Sequence, residues 1–179
     1  MKLGLILALI GLVWFTTTTS KIELEKRLLL DEKVEILLPT DFELMSEDLL
    51  NLKYPFERRP TLVYTNETGG INVAFNHTAS KLTQPEIELF QKQFVLMLSK
   101  AHPSAKWKDS GVKEINGRKV GFLELITPAI DTDIYNLMFF TDLEGRMLLC
   151  TFNCVVKKHK AWLEPAQQIM HSLVIREGS

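Results

Sequence analysis

The chain has 179 residues, 46% of them hydrophobic, and 21 basic against 22 acidic residues give a net charge of -1. That length suits one domain of ordinary size, able to bury a core without a metal or disulfide staple. The balanced charge argues against nucleic acid as partner, because phosphate binding needs a concentrated positive field.

Met1-Lys2 is followed by thirteen apolar residues, Leu3 to Phe15, and then by Thr16 to Ser20. One positive charge ahead of an apolar run of this length matches the hydrophobic region of an export signal. It falls short of the roughly 20 residues of a membrane span. Counting the threonines brings it to the lower edge of a span. Residues 1–20 are therefore expected to be a signal peptide or an N-terminal membrane anchor, with Lys2 inside and the domain outside the cytoplasm. Residues 21–29 read as a connector, and 30–177 as a single domain.

Val34, Ile36 and Leu38 alternate with Glu35 and Leu37 as in a half-buried strand, which Pro39 ends. Asp41 to Leu52 reads as a short helix or irregular excursion, with Ser46 as N-cap before Glu47 and Asp48. The runs 61–65 and 71–76 flank the turn chemistry of Asn66 to Gly70 and predict a hairpin. Thr83-x-x-Glu86 is a capping box with Pro85 in the first turn. Ile87, Phe90, Phe94 and Met97 follow as one apolar stripe on a helix that ends before Pro103.

Asn116-Gly117 favours positive φ at both turn positions and predicts a hairpin between 111–115 and 118–126. A second hairpin joins 133–140 to 146–155 through a loop at 141–145. A last helix starts near Ala161, with Pro165 in its first turn and Trp162, Ala166, Ile169 and Leu173 as its buried stripe. A short strand at 173–175 closes the chain. Hairpins dominate and no βαβ alternation occurs, so the expected fold is α+β, an antiparallel sheet with two main helices packed on it.

This order resembles the PsbP-like or DcrB-like domains. The resemblance is carried by Leu38-Pro39-Thr40-Asp41-Phe42 after the first strand, by the long helix over 83–101, by the Ile115-Asn116-Gly117-Arg118 hairpin and by the closing helix with Trp162. It spans residues 30–177 and rests on element order. It implies a small α/β/α sandwich, often exported. Known members include photosystem accessory subunits and bacterial envelope proteins, so the resemblance implies a fold and no particular function.

The chemistry-bearing residues form no recognised constellation. Nucleotide loops, nucleophile elbows and zinc-binding helices leave motifs that this sequence lacks. Catalytic, cofactor and metal residues are accordingly expected to be none. Cys150 and Cys154 are about 13 Å apart if their run is a strand, too far for a disulfide, and read as buried thiols. His159 is the one histidine near them. His77 reads as a surface residue at a strand end. Asp131, Asp133 and Glu124 are the only carboxylates worth weighing as an unrecognised enzyme site, with Glu124 otherwise on the solvent side of its strand.

Two basic clusters, Arg58-Arg59 and Lys157-Lys158-His159-Lys160, are candidate contacts to an anionic surface. Asn66-Glu67-Thr68 and Asn76-His77-Thr78 match glycosylation sequons. Together these features predict an exported or membrane-anchored, extracytoplasmic, non-catalytic binding or accessory domain. Its expected partner is a protein or a membrane surface. An immunity-type or inhibitor protein that blocks a partner is the alternative.

Overall fold

The computed structural model of the chain describes residues 21–55 and 59–176. The expectation for residues 1–20 falls outside them. Strands β1 (Leu24–Leu29), β2 (Val34–Pro39) and β10 (Val174–Ile175) form a small antiparallel sheet in the order β1-β2-β10. The remaining strands are β3 (Glu43–Leu44), β4 (Leu62–Thr65), β5 (Ile71–Lys81), β6 (Lys106–Ile115), β7 (Arg118–Pro128), β8 (Asp133–Leu143) and β9 (Arg146–Val155). They build a seven-stranded antiparallel sheet in the order β3-β4-β5-β9-β8-β7-β6. Three α-helices pack on these strands: α1 (Glu47–Lys53), α2 (Ile87–Ala101) and α3 (Val156–His171). The α+β class and the antiparallel topology are as the sequence predicts.

The large sheet is covered on both faces. On one face, α3 and the small sheet bury the aromatic core. Trp162 stacks on Phe152 at 5.6 Å and meets Phe42 at 5.5 Å, while Val73, Leu137 and Phe139 rise from the strands beneath. On the other face α2 packs Ile87 and Phe94 against Leu123, Leu125 and Phe140. Alongside it α1 covers Met45, Val63 and Ala74 as a separate cluster. Double coverage explains why β7 reads as a nearly continuous apolar run. Phe122 and Ile126 point to the α3 side, and Leu123 and Leu125 to the α2 side.

Gly121 in β7 is fixed by close approach. A Cβ there would lie 2.2 Å from Cζ of the fully buried Phe140. The turns set the register of the meander. Asn116 and Gly117 take φ of 49° and 79°, and Glu144 and Gly145 take 53° and 72°, the left-handed pairs of two-residue hairpin turns.

Five expectations are corrected. Residues 24–29 are a strand paired with β2, because Leu29 reaches the core and Leu24 packs on it, so the stretch is no connector. The loop at 141–145 contracts to two residues, because Thr141 and Leu143 are buried and continue β8. Helix α3 starts at Val156 and carries Pro165 in its interior. Half-buried Val156 packs on the core and draws the helix start inward. The buried stripe of α2 runs through Ile87, Gln91 and Phe94, leaving Met97 exposed, since the true face is rotated by part of a turn. Finally, His77 lies within β5, half-buried. Its Nε2 lies 3.0 Å from the Leu143 carbonyl oxygen, and an Arg146 guanidinium nitrogen is 3.4 Å from its Nδ1.

Candidate functional site

The predicted chemical residues are placed apart. Asp133 opens β8 opposite Pro128, whereas Glu124 faces Leu137 four register positions along. That is about 13 Å of strand. Asp131 is exposed in the turn, and Asp133 is 3.5 Å from Lys106 Nζ. The carboxylate version of an enzyme site is thereby overturned. Glu124 is also not on a solvent face. It is half-buried under α3, where Gln167 Nε2 donates to its Oε2 at 3.4 Å.

Tyr135, fully buried beside it, has its phenol pushed far above the ordinary value by burial and then by the Glu124 carboxylate. No hydrogen bond of ordinary length joins the two groups. Cys150 and Cys154 are buried and unbridged on the same face of β9. Burial raises both thiols, Cys154 to about 11. Thiols held this far above neutrality are poor nucleophiles and poor metal ligands. Among the described residues no group of three His, Cys, Asp or Glu side chains converges on a metal position.

The basic clusters belong to different layers. Lys157, Lys158 and Lys160 lie on the first turns of α3, which carry no acidic residue. Arg59 donates to Asn51 Oδ1 of α1, on the opposite face of the sheet, at 2.7 Å. Arg58 lies outside the described residues.

Sequence reasoning missed a charged cleft of about 280 Å³ at which Lys33, Arg118, Asp142, Glu144 and Arg176 meet. Lys33 pairs with Glu144 at 2.7 Å and Arg118 with Asp142 at 2.8 Å, while Gln84 Nε2 donates to Asp142 Oδ1 at 2.7 Å. These contacts tie the β1–β2 turn and the segment leading into α2 to the β8–β9 hairpin. The cleft therefore works as a clamp between the two sheets. No local motif announces it, because its members come from separate parts of the chain.

The surface best built for contact is the ridge of α2 beside strand β6. Leu89, Leu96 and Met97 on this one helix are 60%, 63% and 55% exposed. Leu89 and Leu96 are seven residues apart, two turns along the same outward line. Next to the two leucines a groove of about 430 Å³ opens between α2 and β6, lined by Val95, Ser99, Trp107, Lys108, Asp109 and Ser110. The floor of this surface is a sheet edge, because β6 ends the strand order and, among the described residues, pairs only with β7. The signal for the ridge was present in the sequence, as leucines at i and i+7 off the buried stripe.

The arrangement as a whole was compared with known proteins. No described protein family and no curated protein sequence matches the chain. Among solved structures it is similar to the cyanobacterial PsbP, CyanoP, of Synechocystis sp. PCC 6803, with a TM-score of 0.61 and 11% identity over 93% of this chain and 99% of that one. The fold is PsbP-like. A second similar structure is LpqN of Mycobacterium tuberculosis, described as involved in cell envelope biogenesis, with a TM-score of 0.53 and 11% identity over 80% of this chain and 83% of that one. Identities this low establish the architecture alone. Among the described residues no helix is long and apolar enough to cross a membrane.

Proposed function

We propose that the protein is an exported or membrane-anchored, extracytoplasmic binding or accessory domain that acts by holding a protein partner. The observation that carries the reading is the α2–β6 surface. Two large apolar side chains, Leu89 and Leu96, stand exposed on one line of α2, beside a groove that presents the Trp107 indole and, among the described residues, an open strand edge. Exposed apolar side chains scattered singly are ordinary, but grouped on one rigid element they mark a contact site. The PsbP-like architecture supports the same reading by analogy, as does the apolar run at residues 3–15 for export. The lysines of α3, Lys157, Lys158 and Lys160, are one proposed contact to an anionic surface, and Arg58-Arg59 is a separate one.

A photo-crosslinking residue placed at Leu96 in cells that make the protein tests this. The expected result is a discrete protein adduct from Leu96 and none from Glu164, exposed on α3. Equal labelling from both positions, or none from Leu96, contradicts it. Mass spectrometry of the N-terminus on the same sample tests export. A start near residue 21 shows cleavage, and an intact N-terminus in the membrane fraction shows anchoring. Recovery only from the cytosol contradicts export.

A further inference from the structure

We infer that the α2–β6 surface takes a second copy of this chain, pairing strand β6 with its own counterpart antiparallel about Gly111. The inference rests on reading that surface as a partner surface and names the partner. Its starting point is the direction of the β6 backbone groups. The two-residue turn at Asn116-Gly117 makes Ile115 and Arg118 a hydrogen-bonded pair. Alternation then turns the N–H and C=O of Glu114, Val112 and Ser110 away from β7, toward open solvent. The Ser110 N–H agrees with this direction, since it donates at 2.8 Å to its neighbour's carboxylate, Asp109 Oδ1, rather than to β7.

Two antiparallel copies of this edge can bond only in registers that set outward residues opposite outward residues. The register with Gly111 opposite Gly111 does so, placing Ser110 opposite Val112 of the other copy. Within the regular span it also places Asp109 opposite Lys113, twice by symmetry. The neighbouring allowed registers lose this match. Centred on Val112, the pairing sets Asp109 opposite Ile115 and Lys113 opposite Gly111. Centred on Ser110, it sets Asp109 opposite Gly111 and Lys113 opposite Trp107. Regular pairing spans Asp109 to Lys113, which begins just past the bulge between Trp107 and Asp109.

The monomer leaves these charges unanswered. Among the described residues Lys108, Asp109, Lys113 and Glu114 make no ion pair. Lys113 lies over the Phe122 ring at 5.1 Å, and Asp109 sits directly across from Glu124, a like-charge pair. Charged side chains and a bulge on an edge strand deter pairing with arbitrary strands. Asp109 and Lys113 match in the Gly111-centred register, which makes the edge selective for itself. The two-fold axis passes through a glycine, where two backbones approach to about 4.5 Å without side chains between them. Both α2 helices then flank the junction on one face of a continuous sheet, with Leu96 and Val95 bordering it.

The test is light-scattering mass measurement on the full chain, with Asp109→Lys, Lys113→Asp and the double variant. The wild type is expected to dimerise. Either single variant should weaken the dimer about tenfold or more, by replacing two attractive contacts with two like-charge ones. The double variant should restore it. Association through the apolar N-terminus would be indifferent to these exchanges, and such indifference overturns the inference, as does a monomer at every concentration. Gly111→Cys supplies an independent check, because its Cα separation from its counterpart falls within disulfide range. Rapid oxidation to a covalent dimer is expected, and a persistently free thiol contradicts the register. If the Leu96 crosslink instead captures only a different protein while these tests fail, the partner-binding reading stands and self-pairing falls.

Discussion

The two edges of the large sheet are finished in opposite ways. At one edge β3 is two residues long, Glu43 and Leu44, too short to template another strand. At the other, β6 runs for ten residues and, among the described residues, pairs on one side only. Brevity closes the first edge to every partner. The second is guarded only by charge and a bulge, and charge discriminates between partners where brevity cannot. The contrast points to the β6 edge as the place to look for function in this fold. The interior is filled by side chains packed against one another, whereas the outward β6 groups other than the Ser110 N–H, which donates to Asp109 Oδ1, and the exposed leucines of α2 have no partner among the described residues.

The largest effect is expected from Gly121→Ala. The new Cβ collides with the buried Phe140 ring between β7 and α2, the two elements that hold β6 in place. A loss of about 1–3 kcal/mol by chemical denaturation is predicted. No loss would mean that the scaffold behind the edge is looser than its packing implies.

An alkaline titration comes next. The Cys154 thiol rises from 9.0 to about 11 on folding, and burial raises Cys150 as well. A group whose folded value is raised stabilises the protein below its unfolded value, and that stability is lost as pH climbs through the folded one. Stability should therefore decline from about pH 9 upward, and less so in Cys154→Ala. A thiol reagent at mildly alkaline pH should find both cysteines silent until the chain is unfolded.

The smallest effects on stability should come from the two edges themselves. Leu96→Gln and Leu44→Gln each change an exposed side chain and should shift stability by no more than about 0.5 kcal/mol. They should part in function. Leu96→Gln is expected to reduce partner crosslinking, and Leu44→Gln to leave it intact. Equal behaviour of the two would erase the contrast between the edges.

Much of this fold was legible in the sequence because its signals are local. Asn116-Gly117, the Thr83–Glu86 capping box and the alternation of Val34, Ile36 and Leu38 each specify geometry within a few residues. In the structure the capping box is closed in both directions, with the Thr83 N–H donating to Glu86 Oε2 at 2.9 Å. What was missed depends on distant partners. Residues 24–29 become a strand only because β2 lies beside them. Glu124 is drawn inward only because α3 crosses over it. The α2 stripe was misplaced by part of a turn because Gln91, a polar residue, takes a buried position that period alone assigns to an apolar one. The candidate surface was the least legible part, since an edge strand and an inner strand look alike until the strand order is known. The self-complementary charges of β6 were in view throughout, but they acquire meaning only once that edge is known to be open.

Amide hydrogen exchange at Val112 reads the pairing of β6 with its counterpart at a single backbone group. Its N–H points away from β7 and, among the described residues of a single copy, has no acceptor. Protection of this amide should rise with protein concentration and disappear in Lys113→Asp, while core amides stay unchanged. Rapid exchange of Val112 at every concentration would contradict it.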